Sequence, residues 1–132
     1  ADRSRGLGDV YKRQGWGFEE IGLREGLRAF EAGAFTSDTI LCSNDRLAIG
    51  LLTAAYEKGI RVGRETTDDF RIAGQDDHPF SRFTCPPLTT IAQDFEAISS
   101  QAVDMLLAIM NDAKDPVEQR YIEGRLVMRD SA

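Results

Sequence analysis

The chain has 132 residues, 42% of them hydrophobic, enough for one domain with a real core. Its formal net charge of -6 argues against a nucleic-acid surface built from these residues, because phosphate binding needs clustered Lys and Arg. No apolar run approaches the roughly 18 residues of a membrane helix, and Cys42 and Cys85 stand in no metal-ligand spacing.

Residues 1–14, ADRSRGLGDVYKRQ, show no apolar period and carry Arg3, Arg5, Lys12 and Arg13. They read as a tail, similar to translated adaptor sequence, and are set apart from fold reasoning; no signal peptide is visible. Trp16 and Phe18 follow between glycines. From Glu19 a helix is predicted, with Ile21, Leu23, Leu27 and Phe30 at loose helical spacing, Glu19 and Glu20 suited to its first turn, and Gly33 as its stop. Gly22 and Gly26 either weaken that helix or mark close packing.

After the turn residues Ser37-Asp38, Thr39 to Cys42 reads as a buried parallel strand. Ser43-Asn44-Asp45 leads into Leu47, Ala48, Leu51, Leu52, Ala55 and Tyr56, an amphipathic helix ending at Gly59. Ile60 to Gly63 is a short extended piece and Arg64 to Asp69 a polar loop. The strand from Arg71 stops at Gly74 and releases Gln75, Asp76 and Asp77. A proline-bracketed loop runs to Cys85-Pro86-Pro87, and a second short run, Leu88 to Ile91, leads to Gln93. Asp94 opens another helix, whose wide stripe of Phe95, Ile98, Ala102, Val103, Leu106, Leu107 and Met110 runs to Asn111, with Asp115-Pro116 as its stop. Tyr121 to Met128 reads as the final strand. Strands alternating with helices predict an α/β fold, a parallel sheet flanked by helices with right-handed crossovers.

Strand ends that release carboxylates and amides are where open α/β sheets hold ligands, so Asp76 and Gln93 are expected to face one small polar ligand from neighbouring strand ends. Asn44 and Asp45 lie where a strand meets a helix; Asp45 as a helix cap and Asn44 as a ligand contact are compatible there, and spacing alone favours the cap. Asp76 and Asp77 beside His78 invite a metal or acid–base reading. Adjacent residues of an extended segment point to opposite sides, however, and the chain has one His and no ligand motif. No phosphate-cradling glycine loop, Gly-x-Ser-x-Gly elbow or Cys/His pairing is present. Cys42 sits within a predicted strand, which suits packing, and His78 reads as a loop residue. Trp16 and Phe18 suit either core packing or stacking on a ring-shaped ligand.

Four segments in series carry a resemblance: Ser43-Asn44-Asp45 with Ala48 and Gly50 behind it, Glu57 to Val62, Ile72-Ala73-Gly74-Gln75-Asp76-Asp77, and Pro86-Pro87-Leu88-Thr89-Thr90-Ile91-Ala92-Gln93. Together, over about residues 15–132, they resemble the effector-binding region of the LacI/GalR family of bacterial transcription regulators. The resemblance implies a two-subdomain fold like that of periplasmic sugar-binding proteins (type I), of which this chain would be the C-terminal part. Residues 15–93 would form the C-terminal subdomain, and 94–132 the crossover helix and final strand. It implies a sugar or sugar derivative as small-molecule effector, a homodimer through the effector domain, and operator DNA bound through an N-terminal helix-turn-helix outside these residues. A cytoplasmic, non-enzymatic protein with no metal, cofactor or membrane partner is the expectation. Ligand contacts carry over to Asn44, Asp76 and Gln93, with Trp16 or Phe18 as the stacking aromatic. Two features depart from the family pattern: Gln75 stands where an aromatic is usual, and the loop Arg64 to Asp69 is longer. Two other readings use the same residues, a sugar-binding protein of a transport system and an enzyme working through Asp76 and Asp77.

Overall fold

The computed structural model describes residues 17–111 and 119–132. Trp16, the tail at 1–14 and the Asp115-Pro116 stop lie outside the described residues.

Helix α1 spans Phe18–Glu31, with Glu19 and Glu20 in its first turn and Arg28 in its last, each placed to favour the helix dipole. Its buried positions are Gly22 and Gly26. A Cβ on Gly22 would run into the Leu47 carbonyl oxygen, and one on Gly50 into that of Glu19. The glycines therefore mark close packing: α1 crosses α2, Asp45–Glu57, backbone against backbone. Helix α2 starts because Asn44 caps it, accepting the Leu47 amide at 2.8 Å. It buries Ala48, Leu51, Leu52, Ala54 and Ala55.

Strands β1, Thr39–Leu41, and β2, Arg71–Ala73, pair in parallel with Ile40 opposite Ile72. A parallel bridge from Ala73 to Thr89 continues the sheet on the other side of β2. Strand β3, Thr90–Ala92, then pairs with β4, Arg125–Val127. This last pair is antiparallel, with Ile91 opposite Leu126. The expected parallel order thus holds from β1 through Thr89, and the final strand departs from it, in direction and in being shorter than Tyr121 to Met128. The physical reason is that a parallel crossover is completed only where the intervening helix packs back on the sheet. Helix α3, Phe95–Met110, has no buried residue.

The core joins Ala48, Leu51 and Leu52 of α2 to Ile72 and Leu88, with Phe30, Phe35, Ile40, Cys42 and Val62 packed around them. Full burial of a side chain such as Ile72 or Leu88 stabilises by about 1.5–3 kcal/mol. Phe30, Phe35 and Phe70 close one end, with ring centroids 4.9–5.8 Å apart. The polar loop after Gly63 is held by its own acids: Asp68 accepts the Glu65 amide and Asp69 the Arg61 amide, both at 2.9 Å. The proline-bracketed loop contains a short 3-10 turn, Ser81–Phe83.

Candidate functional site

The site is made where β2 and β3 end beside the start of α2. Past Gly74 the backbone turns sharply, with φ of 113° at Asp76 and 50° at Asp77, the left-handed region that side-chain-bearing residues adopt only when held there. The Asp76 amide donates to the Ile91 carbonyl at 2.9 Å, which stitches this loop to β3. The Asp76 carboxylate accepts from Gln93 Nε2 at 2.8 Å. Two residues nominated from separate strand ends are thus one hydrogen-bonded, partly buried pair. A cavity of about 300 Å³ lies against Gln93, lined also by Gln75, Ile91, Asp94, Ile98, Ile122 and Gly124.

Asp77 turns the other way. Its Oδ1 accepts from Arg129 Nη2 at 2.7 Å and from Ser81 Oγ at 3.3 Å. Arg129 Nη1 also donates to Ser81 Oγ and to the Leu88 carbonyl, both at 2.8 Å. Asp77 is therefore a structural anchor for the C-terminal segment, and the two carboxylates do not converge. Among the described residues, no group of three or more His, Cys, Asp and Glu is placed to hold a metal ion.

Asn44 and Asp45 divide their work. The expected cap is corrected: Asn44, not Asp45, caps α2 through its Oδ1, because Asn44 is the extended residue just before the first turn. Asp45 is fully buried and tied to the same loop as Asp76: its amide donates to the Gln75 carbonyl at 2.8 Å, and its Oδ2 accepts the His78 amide at 2.7 Å. Its Oδ1 accepts Thr90 Oγ1 at 2.6 Å. Burial pushes the Asp45 carboxyl above the usual Asp range, against the hydrogen bonds that favour its charged form.

Phe18 is 47% exposed and meets the Arg46 guanidinium, 5.5 Å from its ring centroid. Arg46 also grips Glu19 with two hydrogen bonds, at 2.6 and 2.8 Å, which hold the Glu19 carboxyl below its usual range. The structure thus joins Asp76 to Gln93, sets Asn44 beside the residue that anchors their loop, and places Phe18 against Arg46. Trp16 lies outside the described residues.

Sequence reasoning missed Asp45 as a buried anchor, Arg46, Arg129 and Ser131. Ser131 is buried between strands; it donates to the Ile72 carbonyl at 2.6 Å and accepts the Thr89 amide at 2.8 Å. No local pattern marks Arg129 or Ser131, because their partners lie far back in the chain. Asp45 had one signal, two Asx residues in a row at a helix start that needs only one cap. Both cysteines are free, Cys85 exposed and Cys42 partly buried; burial raises the Cys42 thiol to about 11, out of reach for nucleophilic work near neutrality.

The profile of the periplasmic binding protein-like domain family matches residues 3–132, beginning inside the segment 1–14. The HTH-type transcriptional repressor PurR of Haemophilus influenzae (strain PittEE) is 41% identical over 95 residues, covering 70% of this chain and 27% of that protein. The probable HTH-type transcriptional repressor ExuR of Bacillus subtilis (strain 168) is 34% identical over 92 residues, covering 70% and 26%. Among solved structures, the lac repressor dimer bound to operator and the anti-inducer ONPF superimposes with a TM-score of 0.72 at 32% identity, covering 83% of this chain and 36% of that one. The chain spans about a quarter of the length of the curated relatives it matches.

Proposed function

This chain belongs to the family of periplasmic binding protein-like domains, in its LacI-type repressor branch, and from that premise we propose that it is the effector-sensing part of a transcriptional regulator. Asn44, Asp76 and Gln93 line the face that holds a small, hydroxyl-rich ligand such as a sugar. The observation that carries the reading is the Asp76–Gln93 hydrogen bond. A carboxylate and an amide already oriented by each other present acceptors and donors at fixed spacing, which suits paired bonds to vicinal hydroxyls. The Asn44 amide nitrogen, left over from capping, adds a donor, and Phe18 or Trp16 supplies an apolar cover. The curated relatives being repressors favours a regulator over a transport protein of the same fold, and hence a cytoplasmic protein.

In the complete regulator, α3 crosses after Gln93 to an N-terminal subdomain that forms the second wall of the cleft. Residues 15–93 are the C-terminal subdomain and 94–132 the crossover and final strand. The ligand bridges both walls and biases their angle. A homodimer passes that bias to helix-turn-helix heads on operator DNA, so that ligand and DNA affinities are linked. These residues have no part in a reaction.

The test is calorimetry on the complete regulator against a panel of neutral mono- and disaccharides, followed by Asp76→Ala and Gln93→Ala. Each substitution is expected to weaken the sugar that binds by roughly tenfold, the value of one hydrogen bond or somewhat more where it is charged. Unchanged affinity in both variants overturns the site.

A further inference from the structure

We propose that Asp45 is the positioning residue of this site: its buried carboxylate holds the loop 74–78 in the one conformation that lets Asp76 meet Gln93. The inference rests on Asp76 and Gln93 being the ligand pair, and it names the residue through which that pair is set.

Three observations carry it. First, the α2 cap is already supplied by Asn44, so a carboxylate at Asp45 is not needed to start the helix. Second, Asp45 grips the loop on both sides of the strained residues: its backbone amide donates to the Gln75 carbonyl before them, and its carboxylate accepts the His78 amide after them. Asp76 and Asp77 between those grips have positive φ, a conformation that a short loop keeps only when its surroundings over-determine it. The other carboxylate oxygen of Asp45 takes Thr90 Oγ1, one residue before Ile91, whose carbonyl receives the Asp76 amide. Loop and strand β3 are therefore referenced to one carboxylate, and Gln93 follows β3 directly. Third, a Cβ on Gly74 would run into Asp45 Oδ1; the end of β2 is shaped to admit this group.

Among the described residues the carboxylate has no cationic hydrogen-bond partner. Both oxygens accept from neutral donors, and the Asp76 and Asp77 carboxylates add charge of like sign. Such a placement is unfavourable for stability alone, which is consistent with a residue kept for the geometry it imposes.

The test needs no ligand. In the isotopically labelled chain, the Gln93 side-chain amide is expected to show a hydrogen-bonded shift and slowed exchange from its contact with Asp76. Asp45→Ala should accelerate exchange of that amide and of the His78 backbone amide by roughly tenfold, while the amides of Leu51 and Leu52 stay protected. Asp45→Asn should restore the Gln93 signal, because its oxygen still accepts from His78 and its nitrogen can donate to Thr90 Oγ1. A merely structural role would lower protection at Leu51 and Leu52 and leave Gln93 paired in the folded molecules. If Asp45→Ala does not fold, Thr90→Val leaves α2 untouched and removes one anchor; the Gln93 signal should then move the same way by a smaller step. A Gln93 signal identical to the parent in the folded variant overturns the proposal. Because sugar binding is not measured here, failure of Asp76→Ala to weaken a sugar would sink the ligand reading without touching this result.

Discussion

Helices α2 and α3 are similar objects with opposite fates. They have 13 and 16 residues, and each begins on an Asx side chain that accepts an amide of its first turn, Leu47 for Asn44 and Ala97 for Asp94. Each carries an apolar stripe. Yet Leu51 of α2 is 6% exposed, whereas Leu106 and Met110 of α3 are 56% and 70% exposed. Helix α2 lies between the glycine face of α1 and the Ile72 side of the sheet. Helix α3 leaves β3 with no such neighbour among the described residues. Each large side chain left in water forgoes roughly 1.5–3 kcal/mol. The difference shows that a stripe states what a helix can bury, and the surroundings decide whether it does.

Truncations should separate the two helices most. Ile72→Ala removes the side chain against which α2 packs, and should cost about 2–5 kcal/mol by transfer and cavity terms. Leu106→Ala, on α3, should stay within about 0.5 kcal/mol. Chemical denaturation of both variants reads the contrast, and equal losses would end it. Hydrogen exchange sharpens the same point without mutation. Amides of Leu51 and Leu52 should exchange more slowly than those of Leu106 and Leu107 by roughly a hundredfold, the factor for about 2.7 kcal/mol of local stability. Comparable protection in the monomeric chain would mean that α3 has a complete core of its own, and the crossover reading would be abandoned. The smallest effect concerns the caps. Asn44→Ala should lower global stability by about 1 kcal/mol, whereas Asp94→Ala should fray the first turn of α3 and leave the denaturation midpoint unchanged. A shift of the midpoint by Asp94→Ala would show that α3 is coupled to the core after all.

Much of the candidate site was legible for a local reason. Gly74 ends an apolar run and Asp76 follows it; Thr90 and Ile91 run into Gln93. Each strand end is visible within a few residues, and ligand-facing groups sit at strand ends because backbone pairing stops there. What remained hidden was which of several polar residues meets which. Asp76 and Asp77 look alike in sequence, and only the left-handed turn sends one toward Gln93 and the other toward Arg129.

The sequence by itself determined the three helices, the strand positions on either side of α2, and the motif series by which the repressor branch was recognised, because periodicity, caps and turn residues act over a few positions. Tertiary structure alone decided that Asp45 is a buried anchor, that Ser131 fills the sheet beside Ile72, that β4 runs antiparallel, and that α3 stays bare. Asp45 finds its partners 33 and 45 residues away, Asp77 its guanidinium 52 away, and Ser131 the Ile72 carbonyl 59 away. A polar side chain becomes an anchor only when the folded chain supplies its donors and removes its water, and no window of local sequence contains both.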